Sequence, residues 1–141
     1  IALKSVEPFK PYWDQLIPLL LKWLKEHETA WPALEAIRAI AEESIEPFKP
    51  YWSVMESLFA NLLRDEFVYS QVCIVVGVFG LWDLRSGVLY ELMLGLWKKE
   101  RDCRVAFGLA CYDFEEAVVF LRRNCSDLYE LLVGLRGRVS G

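Results

Sequence analysis

Ser5-Val-Glu-Pro-Phe-Lys-Pro-Tyr-Trp13 returns 39 residues later as Ser44-Ile-Glu-Pro-Phe-Lys-Pro-Tyr-Trp52, with eight of nine positions identical. The match runs outward, pairing Ile1 and Ala2 with Ile40 and Ala41, and Leu19 and Leu24 with Leu58 and Leu63. A period near 40 marks a repeat architecture, in which no unit can bury its apolar face alone. After each Pro-Tyr-Trp the apolar residues fall three and four apart. They are Leu16, Leu19, Leu20, Trp23 and Leu24 in the first copy, and Met55, Leu58, Phe59, Leu62 and Leu63 in the second. That spacing builds one face of a helix. Ala33, Leu34, Ile37, Ile40 and Ala41 give a second stripe, so each repeat is a pair of helices.

The pattern continues with less identity. Tyr90, Met93, Leu94 and Trp97 follow Met55, Leu58, Phe59 and Leu62 at an offset of 35, and Asp65-x-x-Val68 returns as Asp102-x-x-Val105. Both Asp residues stand where an N-cap belongs. Asp113-Phe-Glu-Glu116 reads as a capping box and Ser126 as a further N-cap. Eight helices in four antiparallel pairs are expected, over 8–26, 30–44, 48–64, 67–82, 85–99, 101–112, 114–124 and 127–137. Pro18 falls inside the first and should kink it. Val72-Cys-Ile-Val-Val-Gly-Val-Phe-Gly80 could be a buried strand, but no second run offers to pair with it. A central helix, apolar all round, is the better reading, with Gly77 and Gly80 allowing close backbone approach.

These residues resemble HEAT repeats, the helix-pair units of α-solenoids. Phe9 to Leu21 and Ala33 to Glu42 are most similar to repeats of the importin-β type, and the Asp65 and Asp102 turns to the HEAT inter-helix Asp with its buried Val. The family often has a basic residue after that Val; Tyr69 and Ala106 stand there instead. The likeness is good over residues 1–112 and poor over 113–141. It implies an all-α, α-α superhelix forming a single repeat domain over residues 1–141. Ile1–Ser5 aligns with the last turn of a second helix, Ile40–Ser44, and no Met opens the chain, so a piece of a longer solenoid is expected.

Composition bounds the function. The 141 residues are 55% hydrophobic and 26% charged, which excludes disorder. The net charge is −4, with 7 basic against 12 acidic residues over 1–84, and 9 against 8 over 85–141. An acidic chain without a basic block disfavours nucleic acid. The longest stretch without a polar side chain, Val72 to Trp82, is too short to span a bilayer, and a cytoplasmic protein is expected. His27 is the single histidine, which removes multi-histidine metal sites, and no Ser-His-Asp or Cys-His arrangement is expected. His27-Glu28 resembles the His-Glu pairs of HEAT-like deoxyhypusine hydroxylases, but those need several such pairs. Cys73, Cys103, Cys111 and Cys125 lack metal spacing and read as small buried residues, with a structural disulfide as the alternative. Scarce Gln, Asn and Thr hint at a thermophile.

A scaffold or adaptor that binds another protein or peptide, without catalysis or cofactor, is the expectation. The resemblance implies that second helices line the concave side, which nominates Trp31, Glu35, Arg38, Glu42, Tyr69 and Arg104 for partner binding. Trp13, Trp52, Trp23 and Trp97 read as packing residues. The alternatives are a nucleic-acid-binding protein similar to HEAT-like alkylpurine DNA glycosylases, resting on Trp82, Asp83 and Arg85, and self-association through apolar solenoid ends.

Overall fold

The computed structural model describes residues 11–140. They form eight α-helices: α1 (Trp13–Leu24), α2 (Ala30–Glu43), α3 (Trp52–Leu62), α4 (Tyr69–Leu81), α5 (Gly87–Lys99), α6 (Cys103–Cys111), α7 (Glu115–Asn124) and α8 (Ser126–Ser140). No strand occurs among the described residues. The first nonapeptide copy up to Lys10, and the Ile1–Ser5 turn, lie outside them. The second copy folds as a 3-10 helix over Glu46–Tyr51, and α3 starts only at Trp52. Pro47 and Pro50 have no N–H to give to an α-helical ladder, so the expected helix over 48–64 loses its first turn. The helix α1 continues through Pro18.

Consecutive helices pair, and the second members also pack on each other: α2 on α4, α4 on α6, and α6 on α8. One buried cluster runs from Ile17 to Leu135. Equivalent repeat positions do equivalent work, since Leu20 and Phe59, and Leu24 and Leu63, are all buried. The Trp52 ring stacks on Phe79 at 5.7 Å, and Trp97 is buried against Phe120. Trp23, expected in the core, is instead 37% exposed. It lies on α1, which packs chiefly on α2 and the 3-10 helix.

The run that could have been a strand is helix α4, buried on every side from Gln71 to Leu81. It is buried by α6, α2, α3 and α8 together. On one side α4 and α6 cross at glycine: a Cβ on Gly108 would stand 2.7 Å from the Cys73 carbonyl oxygen, and one on Gly77 3.0 Å from Gly108 Cα. On another side α8 packs on α4 as well as α6, and its far end reaches α2. There Arg138 donates to the Glu42 carbonyl at 2.8 Å and lies 3.6 Å from the Glu43 carboxylate.

Turn chemistry follows the sequence in part. Asp65 accepts from Phe67 N–H at 2.8 Å and Asp102 from Arg104 N–H at 2.7 Å, the same bond in both copies of the motif, with Val68 and Val105 buried behind. The capping box at Asp113 does not form. The N-cap of α7 is Phe114, without a side-chain cap, and Asp113 sits at φ 65°. There it closes α6, its N–H donating to the Ala110 carbonyl while Phe114 N–H reaches the Leu109 carbonyl. Asp83 closes α4 in the same way at φ 69°. This arrangement satisfies the last carbonyls of a helix. Ser126 is the first residue of α8 rather than its cap. The cysteines divide. Cys73 and Cys111 are buried thiols, whereas Cys103 and Cys125 form a disulfide joining the start of α6 to the end of α7.

Candidate functional site

Among the described residues, α2, α4, α6 and the α7–α8 junction meet around an opening at the N-terminal end of α4. It is a cleft of about 650 Å³. Arg38 comes from α2, Gln71 and Ile74 from α4, Asp102, Cys103 and Arg104 from the start of α6, and Asn124 to Leu128 from the α7–α8 junction. The disulfide is part of its wall. Local structure fixes each group. Asp102 caps α6 and so holds Arg104 in the first turn. Arg38 is turned by a 3.0 Å bond from Nε to Glu42, four residues on. Asn124 bonds the Phe120 carbonyl and ends α7.

Gln71 stands out within this set. It is 6% exposed, and no hydrogen bond to its carboxamide occurs among the described residues. Among the described residues, the buried side-chain nitrogens without a partner are the indole Nε1 of Trp13, Trp82 and Trp97; the Gln71 carboxamide is not among them, and it belongs to the lining of the open cleft.

Of the six residues nominated from sequence, Arg38 and Arg104 line this cleft, and Glu42 holds Arg38. Trp31 and Glu35 are exposed on α2 outside it. Tyr69 belongs to a different groove of about 550 Å³ between the α3–α4 turn and α5, lined also by Leu63, Leu92, Leu96 and Lys99. Its hydroxyl donates to Glu100 at 2.6 Å, and that bond pushes the phenol up to about 12. Gln71, Ile74 and the α7–α8 junction were not nominated. The one available signal was that Gln71 is the sole polar side chain opening an otherwise apolar run.

Other candidate groups are occupied. Arg85 spends its donors on the Gly80 carbonyl (3.0 Å), the Cys111 carbonyl (3.2 Å) and Asp113 (3.2 Å), and lies over the Tyr112 ring. Asp83 serves its turn, and Trp82 is half-buried. This trio builds the α4–α5 connection. His27 faces Phe67 edge-on and lies 3.9 Å from Asp65. No group of three metal-ligating side chains occurs among the described residues, and no helix there is long and apolar enough to cross a membrane. Burial pushes the thiols of Cys73 and Cys111 far up, so neither is a nucleophile near neutral pH.

No family model, curated protein or solved structure matches this chain.

Proposed function

We propose that the chain is a HEAT-like α-solenoid segment that works as a protein-interaction scaffold, without catalysis or cofactor of its own. Its second helices supply the partner surface, and the partner is a protein or peptide met in the cytoplasm. The observation that carries this reading is the shared cleft of Arg38 and Arg104, residues of different repeats nominated from helix position alone. The ordered packing of α2, α4, α6 and α8, and the identical Asp turns, support the HEAT-like assignment.

The test is capture on immobilised protein after nuclease treatment, run beside an Arg38→Glu/Arg104→Glu variant. A partner that withstands moderate salt on the wild type and is lost from the variant supports the reading. Nucleic acid released steeply by salt overturns it in favour of the nucleic-acid alternative.

Self-association is the second reading. Tyr12, the N-cap of α1, and Leu19 and Trp23 on α1 itself are 58%, 40% and 37% exposed, whereas their repeat equivalents Tyr51, Leu58 and Leu62 pack half-buried on the core. A second copy covering these side chains would do the same for α1. Light scattering decides it: a dimer mass that Trp23→Glu converts to a monomer supports this reading, and a monomer at all concentrations removes it.

A further inference from the structure

The cleft at the start of α4 carries chemistry that a scaffold as such does not need. A carboxamide offers an N–H donor and a carbonyl acceptor side by side. One residue of an extended chain points its own N–H and C=O to the same side, so that complementary pair can be matched by two hydrogen bonds at once. Gln71 carries such a carboxamide on a residue that lines the cleft and is 6% exposed, with no hydrogen bond to it among the described residues. Ile74, Leu128 and the disulfide supply apolar contacts beside it within a lining that is otherwise mostly polar.

Charge narrows the occupant further. Arg104 is exposed, and its guanidinium has no hydrogen bond or ion pair among the described residues, whereas Arg38 is engaged by Glu42. Ser126, Asp127 and Leu128 begin α8 on the same cleft, and the first N–H groups of a helix have no acceptor within it. Both features favour an anionic group. Asp102 and Asp127 also line the cleft, which opposes a densely charged ligand such as a phosphate chain. A single carboxylate on a neutral backbone fits this mixture.

We propose that the cleft binds one extended peptide segment, its backbone paired with the Gln71 carboxamide and an acidic side chain held by Arg104. This rests on the scaffold reading and names its site and ligand class.

The probes are three blocked pentapeptides, Ac-Ala-Ala-X-Ala-Ala-NH₂ with X as Glu, Gln or Lys, titrated to millimolar concentration into the isotope-labelled full chain, with sodium sulfate as a separate arm. The Glu peptide is expected to move the Gln71 side-chain amide and the Arg104 backbone resonances, and to bind several-fold more tightly than the Gln peptide. Gln71→Leu, checked for native helicity by circular dichroism, should abolish these shifts. Arg104→Gln should erase the preference for Glu while leaving the Gln peptide bound as before. Gln71→Glu keeps the side chain's shape and should also lose the peptide, which separates a lost bond from a disturbed cleft. Shifts confined to other surfaces, no shifts at all, or equal shifts from sulfate alone overturn the proposal. The two readings fail differently. A captured partner lost from Arg38→Glu/Arg104→Glu but kept by Gln71→Leu sinks the peptide-backbone inference and leaves the scaffold reading standing.

Discussion

Single side chains carry consequences that can be measured one at a time. Tyr69 donates to Glu100, and the bond, followed by desolvation and the Glu100 charge, raises its pKa from 10.0 to about 12. The protonated phenol is therefore the form that the fold prefers. Its contribution to stability is fully present below pH 10, the value for an unfolded tyrosine, and is lost as pH climbs through about 12. Ultraviolet difference titration of wild type against Tyr69→Phe should isolate one late-ionising tyrosine, and Glu100→Gln should bring it back toward 10; a Tyr69 already ionising near 10 in the wild type would show the bond to be absent. Glycine gives a second contrast. A Cβ on Gly108 would meet Met93 Sδ at 2.6 Å and the Cys73 carbonyl at 2.7 Å, and the latter is backbone inside the α4 helix. Gly108→Ala should therefore destabilise by about 1–3 kcal/mol, as overpacking does. Gly95 stands on α5 with nothing within 4 Å, and Gly95→Ala should stabilise by up to about 1 kcal/mol from helix propensity. Opposite shifts in urea midpoint are the expected result, and shifts of the same sign would contradict this account of the α4–α6 crossing.

At the level of elements, two helices end on the same device with different surroundings. Asp83 and Asp113 both adopt positive φ, a conformation that costs a non-glycine residue roughly 1 kcal/mol or more. Asp83→Gly should recover about that amount. Asp113→Gly gains the same backbone relief but gives up the bonds from Arg85 at 3.2 Å and Arg136 at 3.3 Å, so its net change should lie near zero. Thermal melts of the two variants compare them directly, and an equal gain in both would show the arginine bonds to be without weight. The misreading of Asp113 has a physical cause. Asp-Phe-Glu-Glu satisfies a capping box, but α6 also needs a residue tolerant of positive φ at its end. With no glycine there, Asp113 takes that place and its carboxylate turns to the two arginines. The helices themselves were legible because repeat identity and apolar spacing are local properties. The full burial of α4 was legible for the same reason. The nominated Arg38 and Arg104 follow from helix position, whereas Gln71 gains its meaning only from burial that other helices impose.

On the scale of the whole molecule, long-range ties shape the surface, and these were the least legible features. Nothing in the sequence announces that α8 packs over α4, or that Arg138 bonds the carbonyl of a residue 96 positions earlier. That tie brings the end of α8 onto α2, while the candidate cleft lies at the N-terminal end of α4. Cysteine pairing was equally hidden, since spacing alone does not distinguish four buried thiols from two thiols and a disulfide. The disulfide joins residues 22 apart, and a cross-link closing a loop of that length stabilises by about 3 kcal/mol in the chain-entropy view. It also secures the α7–α8 junction, which supplies Asn124 to Leu128 to the cleft. Cys73 and Cys111 are fully buried with thiols pushed far up, so native alkylation should find no reactive cysteine before reduction and two after it, Cys103 and Cys125. Mass spectrometry counts the adducts, and denaturant titration with and without reductant reads the stability. The expected loss of about 3 kcal/mol on reduction should match that of Cys103→Ser/Cys125→Ser. A double variant that loses stability while reductant has no effect would mean that the bond is shielded from the solvent. Four adducts in the reduced native state would mean that cutting this single tie opens the α4–α6 core, where Cys73 and Cys111 lie.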